Sequence, residues 1–123
     1  WANGVPLSGA DPYAVFSNAY MYMLNQLHHN YPKAEICCCT LCRTRMSDNP
    51  SFVFPETYGG ISLSDYNKCI RTVVMQARCT LVDIASYEQR YDTLDGTHPN
   101  ASGMQTLARL FCAAYDDAHS RRM

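Results

Sequence analysis

The sequence carries almost no net charge, no long apolar run and no phosphate-cradling glycine loop, and each absence removes a class of function. Ten Lys and Arg stand against eleven Asp and Glu, for a formal charge of −1. No electrostatic field therefore draws the chain to nucleic acid or to an anionic membrane. No apolar stretch approaches the roughly 20 residues needed to span a bilayer. No repeat, low-complexity tract or linker divides the 123 residues, a length that fits one domain at most. Neither a signal peptide nor an initiator Met is present. The chain opens on Trp1, and the expectation is that sequence upstream has been removed or lies unread.

What is there suits a packed core. Hydrophobic residues make up 47% of the chain, and nine are tyrosines. Seven cysteines, at 37, 38, 39, 42, 69, 79 and 112, are many and odd in number. Three are consecutive inside an apolar run, where neighbours on a strand face opposite ways. That placement suits buried free thiols better than a disulfide framework, and unpaired thiols fit a reducing, cytoplasmic compartment, with secretion left open. Cys39-x-x-Cys42 has the spacing of a redox pair or half a metal site. No second Cys/His pair at ligand spacing accompanies it, and no helix is expected to follow it. Neither metal nor cofactor is expected.

Read in order, Trp1 to Ala10 is irregular. Asp11-Pro12 starts a helix, with Asp at the N-cap and Pro in the first turn. Phe16, Tyr20, Met23, Leu24, Leu27 and Tyr31 recur at helical spacing until Tyr31-Pro32 ends it near Asn30. His28 and His29 then face the helix dipole or solvent. Ala34 to Leu41 is too short for a helix and suits a strand covered on both faces. Cys42 to Gly60 is a long structureless loop, of the kind that often serves as a lid or binding segment. Within it, Arg43 and Arg45 could meet an acidic substrate group, and Phe52 and Phe54 could line an apolar pocket. The bland alternatives are solvated charges and rings that merely hold the loop down. Ser62-x-x-Asp65 caps a second helix with apolar face Leu63, Tyr66, Ile70, Val73, Val74 and Ala77. Thr80 to Ile84 is a second strand and Ala85 to Leu94 a polar loop. A last helix runs from about Pro99 to Ala118, burying Met104, Leu107, Ala108, Phe111, Ala114 and Tyr115. Strands alternating with helices imply an α/β fold with a parallel sheet, whose ligands bind beyond the carboxyl ends of the strands. The long loop and the turn at Asp95 both emerge at that edge.

That turn, Tyr91-Asp92-Thr93-Leu94-Asp95-Gly96-Thr97-His98-Pro99-Asn100-Ala101-Ser102-Gly103, organises the rest. Gly96 permits backbone angles that other residues avoid, and Pro99 fits a first helical turn. Asp95 and His98 are thereby presented just ahead of a helix. A carboxylate on the Nδ1 side of an imidazole fixes its tautomer and strengthens it as a base. Taken alone, Asp-x-x-His is more often a turn and cap than a catalytic pair.

The full string D-G-x-H-P-N-x-x-G is more specific. It resembles the C-terminal catalytic block of the SGNH hydrolases, the GDSL-type esterase and lipase superfamily. The resemblance implies a three-layer α/β/α, flavodoxin-like fold with a parallel sheet, of which residues 1–123 would be the incomplete C-terminal part of a single domain. It also implies that Asp95 and His98 are the acid and base of a Ser-His-Asp triad. The family's other blocks are missing. No Gly-Asp-Ser occurs, and Trp1-Ala2-Asn3-Gly4 lacks the Gly and Asp that flank the family's oxyanion-hole Asn. Trp1 looks like the residue just after that Asn, so the expectation is a fragment beginning downstream of it.

The implied function is a fragment of a serine ester hydrolase, inactive alone, acting in its whole form on a small-molecule, carbohydrate or lipid ester. Its expected partner is the missing N-terminal half of the domain. Carboxylesterase, acetyl-xylan esterase, lysophospholipase and thioesterase activities all occur on this scaffold, and fold likeness does not choose among them. The alternative is a non-catalytic half-domain that completes its sheet with another chain, since two strands alone leave exposed edges and a thin core. A third reading, a thiol redox or metal protein, rests on Cys39-x-x-Cys42.

Overall fold

The structure is a computed structural model and describes residues 11–120. The expected irregular start at Trp1 to Ala10, with the Trp1–Gly4 comparison, lies outside the described residues. The elements run α1 (Pro12–Asn30), β1 (Cys37–Cys39), β2 (Thr44–Arg45), β3 (Thr57–Tyr58), β4 (Ile61–Ser62), α2 (Leu63–Gln76), β5 (Thr80–Val82), a 3-10 turn (Ile84–Tyr87), β6 (Tyr91–Asp92) and α3 (Ala101–Ser120). They divide into two compact units, 1–38 with 56–81 and 39–55 with 82–123.

The first unit is built on the two helices α1 and α2. An Asp11 carboxylate oxygen accepts from Tyr13 N at 3.2 Å, and Pro12 fills the first turn, so α1 starts where the Asp-Pro pair places it. It ends at Asn30 because Tyr31, preceding Pro32, is driven out of the helical region to ψ 66°. On α2, Ser62 Oγ accepts from Asp65 N at 3.0 Å, the capping role expected of it. The core joins Leu24, Cys38, Cys69, Ile70, Val73 and Val74, with Phe16, Tyr20, Leu27, Ile36 and Leu81 packed against it. Each large aliphatic side chain so buried contributes about 1.5–3 kcal/mol. Tyr66 and Ala77 are only partly buried, and Asn67 and Cys69 share the buried face of α2 instead. Tyr66 turns its hydroxyl to Tyr58 O at 2.9 Å and sets its ring edge-on to Phe16.

Two details of this unit depart from the sequence reading. Gly59 and Gly60 close a two-residue antiparallel hairpin between β3 and β4, with φ of 61° and 83°. Both angles are positive, as the tight turn that matches strand twist requires. His28, in the last turn of α1, does more than face its own helix end or solvent. Its Nε2 lies 2.9 Å from Ala77 O, at the end of α2, and 3.2 Å from Cys79 Sγ. Burial, followed by the neighbouring Cys38, pushes the Cys79 thiol up to about 11.

The strands are shorter than the apolar runs that contain them. β1 pairs with β5; Thr80 N donates to Ile36 O and Thr40 N to Val82 O, with both partners advancing together as in a parallel pair. Ile84, expected to end a strand, opens the 3-10 turn instead. Thr40 explains the change: its hydroxyl donates to an Asp83 carboxylate oxygen at 2.8 Å and accepts from Ala85 N at 2.9 Å, which turns the chain.

In the second unit β2 lies parallel to β6, with Thr44 opposite Tyr91 and Arg45 opposite Asp92. The segment 42–60 is therefore not structureless, because its start joins a sheet. α3 begins at Ala101 rather than Pro99, since Asn100 is the residue that caps it: its Oδ1 accepts from Gly103 N at 2.8 Å. The buried stripe of α3 is Gly103, Leu110 and Ala114, while Met104 is 57% exposed and Phe111 37%. Of the six positions expected to be buried, Ala114 alone is fully so. The helix is rotated by about one residue because it packs through Gly103, whose added Cβ would sit 2.0 Å from Asp92 O. A glycine has no apolar signal to reveal that contact.

Candidate active site

β6 delivers the chain to Thr93, which bridges back to Pro99, and Leu94 N donates to His98 O at 2.9 Å. Between these anchors the residues from Asp95 to His98 form a closed turn. Asp95 Oδ1 accepts from Thr97 N at 3.0 Å and from His98 N at 2.8 Å, the side-chain-to-backbone pattern that Asp favours in turns. Its other oxygen, Oδ2, lies 2.7 Å from His98 Nδ1. Gly96 takes φ +96°, a value that an L side chain rarely adopts.

The carboxylate is thus held by three groups at once. The His98 N–H, the His98 ring and the Thr97 N–H together bring the Asp95 carboxyl down from its ordinary 3.8 to about 2. Asp95 stays ionised at any pH where an imidazole acts as a base, and as an acceptor it favours the proton on Nδ1. Nε2 makes no hydrogen bond among the described residues. The His98 side chain is 75% exposed and that of Asp95 55%. The arrangement can hold a neutral imidazole in one tautomer, with its second nitrogen available to take a proton.

Asp92, three residues earlier, does different work. It is 4% exposed, and its carboxylate accepts from Ser47 N, Ser47 Oγ, Asn100 Nδ2 and its neighbour Thr93 N. The Ser47 and Asn100 side chains lead in holding its carboxyl far below the ordinary range. This carboxylate ties the 42–55 segment to the start of α3. Sequence reading did not find it, nor Thr44 and Thr93, whose hydroxyls bond Gly96. Sequence distance hid the links to Ser47 and Thr44, since nothing in the string indicates which residues β2 places beside β6.

The remaining expected site residues are spread along 43–54. Phe52 is half-buried against the turn, with its Cε2 atom 2.7 Å from where a Cβ on Gly96 would stand. Phe54 is half-buried and Arg43 and Arg45 are exposed. The carbonyls of Arg43 and Arg45 accept from Tyr91 N and Thr93 N in the ladder beside the site. Cys42 is half-buried, and burial first, then Cys39 and Asp83, pushes its thiol up to about 11, the opposite of an activated cysteine. No disulfide joins any of the described cysteines. Among the described residues no group of three or more His, Cys, Asp or Glu could hold a metal, and no helix is long and apolar enough to cross a membrane.

Helices and short parallel strand pairs define a mixed α/β fold. Among solved structures it is similar to one described as "a putative GDSL-like lipase from Parabacteroides merdae". The TM-score is 0.57 and the identity 16%, over 85% of this chain and 50% of that one. At that identity the likeness is one of fold, and the chain spans half the length of the protein it matches. No family model and no curated protein matches the sequence.

Proposed function

We propose that this chain supplies the general base, His98, and its orienting carboxylate, Asp95, to a serine ester hydrolase of the GDSL type. The observation that carries the reading is the 2.7 Å contact from Asp95 Oδ2 to His98 Nδ1, on a turn where Nε2 has no hydrogen-bond partner among the described residues. The fold likeness to half of a GDSL-like lipase supports it.

The chemistry follows from the pair. A serine hydroxyl, supplied by polypeptide that carries the nucleophile block, loses its proton to His98 Nε2 as its oxygen attacks the ester carbonyl. Asp95 stabilises the imidazolium across Nδ1 without itself taking the proton. The tetrahedral oxyanion needs backbone or amide donors, each worth about 3 kcal/mol, from the same polypeptide. His98 then returns the proton to the leaving alkoxide, and a water attacks the acyl-serine by the same route.

The test has two arms. Alone, the purified 123-residue chain should hydrolyse p-nitrophenyl acetate no faster than free imidazole at equal concentration. Mixed with a GDSL-type N-terminal half, it should gain turnover that His98→Ala abolishes. Turnover by the mixture that survives His98→Ala would sink the assignment. A second reading, a non-catalytic half-domain that docks on another chain, draws on the exposure of Met104 and Phe111 along α3 and on the two-stranded sheets. Complex formation with no gain in hydrolysis would favour it.

A further inference from the structure

Each peptide unit between Asp95 and His98 is held by a side chain from elsewhere in the same unit of the fold. The unit joining Asp95 to Gly96 donates its N–H to Thr93 Oγ1 at 2.8 Å. The next accepts at Gly96 O from Thr44 Oγ1 at 2.7 Å. The third accepts at Thr97 O from the Tyr91 hydroxyl at 3.4 Å, the weakest of the set. Thr44 is 3% exposed and Thr93 2%, so both hydroxyls act away from water. Thr93 is fully used: while accepting from Gly96 it donates to Arg45 O at 2.8 Å. The parallel pairing of β2 with β6 sets the two threonines on either side of Gly96.

We propose that Thr44 and Thr93 are positioning residues that clamp Gly96 from both sides and so hold Asp95 and His98 at hydrogen-bonding distance. This rests on the hydrolase reading for its purpose, but not for its test. Gly96 is the one glycine in the turn, and its φ of +96° is one that a residue with a Cβ adopts rarely and at a cost. A glycine there would let Asp95 and His98 drift apart unless its N–H and C=O were both engaged. Two buried hydroxyls, one accepting and one donating, meet that need. A carbonyl left without a donor in a buried setting instead rotates toward any other partner, and it carries the Asp95 end of the turn with it.

The test reads which ring nitrogen of His98 bears the proton, from imidazole ¹⁵N shifts at pH 8, with the resonance assigned by His98→Gln. The wild-type chain should carry it on Nδ1. Thr44→Val keeps the branched shape but removes the donor, and it should lower the Nδ1–H to Nε2–H ratio about fivefold, the effect of one lost neutral hydrogen bond. Thr44→Ser should restore the wild-type ratio. Asp95→Asn is the reference for a pair that is truly broken. If Asp95→Asn changes the ratio and Thr44→Val does not, the clamp is wrong and the pair stands. If Asp95→Asn itself changes nothing, the pair is absent in solution and the hydrolase reading falls with it. Should Thr44→Val fail to fold, amide exchange on the wild-type chain decides. The Gly96 N–H, bonded to a buried hydroxyl, should exchange far more slowly than the Thr97 N–H, whose Asp95 acceptor lies on the exposed side of the turn, and equal rates would overturn the clamp.

Discussion

Gly103→Ala puts the geometry of the site's base to its hardest test, because two ordinary rules predict opposite signs for it. Gly103 lies in the first turn of α3, and Gly to Ala inside a helix normally stabilises by up to about 1 kcal/mol. Here the new methyl would stand 2.0 Å from Asp92 O and 3.2 Å from Pro99 Cβ. The first contact is more than 1 Å inside van der Waals range, and its partner is a backbone oxygen rather than the movable end of a side chain. α3 cannot simply retreat, since Asn100 N holds that same oxygen at 3.2 Å and Asn100 Nδ2 holds the Asp92 carboxylate at 2.8 Å. Overpacking of this kind costs about 1–3 kcal/mol, and the rigid partner argues for the upper end. Less the propensity gain, the variant should be about 2 kcal/mol less stable. At about 4 °C per kcal/mol for a chain of this size, Tm falls by roughly 8 °C. Calorimetry or thermal circular dichroism at pH 7 gives the number, and amide shifts should move at Asp92 and Asn100 before anywhere in α1. An unchanged or raised Tm refutes the reasoning, because it means that α3 does not approach β6 as closely as described.

The turn itself answers to Gly96→Ala, where the positive φ costs about 1–2 kcal/mol and the methyl meets the Phe52 ring at 2.7 Å. Urea melts of Gly96→Ala with and without Phe52→Ala should show that truncating the ring relieves part of the loss but leaves the backbone part. In the first unit, Leu24→Ala at a fully buried position should cost about 2–5 kcal/mol, and Tyr22→Ala on the same helix, 67% exposed, within about 0.5 kcal/mol; equal losses would contradict the core. With its carboxyl at about 2 when folded and 3.8 otherwise, Asp95 adds stability that is complete above pH 4 and lost as pH falls toward 2. Asp95→Asn should therefore flatten the Tm–pH curve below pH 4, and an undiminished fall there would contradict the assignment.

How much of this was legible in the string follows from how far each determinant acts along the chain. Asp11-Pro12, Tyr31-Pro32 and Ser62-x-x-Asp65 decide helix ends through atoms a few residues apart, and the ends fall where those residues put them. The Asp95–His98 pair is equally local: a carboxylate three residues before an imidazole, with a glycine between, closes on itself. The supports of that pair are not local. Thr44 and Ser47 reach Gly96 and Asp92 across 52 and 45 residues, by way of a two-residue strand too short for any periodicity to announce. Hydrophobic spacing also misplaced the inner face of α3, because the helix is seated by a missing side chain at Gly103 rather than by its largest ones. Apolar patterning ranks faces by what they could bury, whereas the approach of two backbones is decided by what is absent. The Gly that ends the string D-G-x-H-P-N-x-x-G is such a residue. It lets α3 close on Asp92 O, which brings Asn100 onto the Asp92 carboxylate and sets the base of the turn that carries His98.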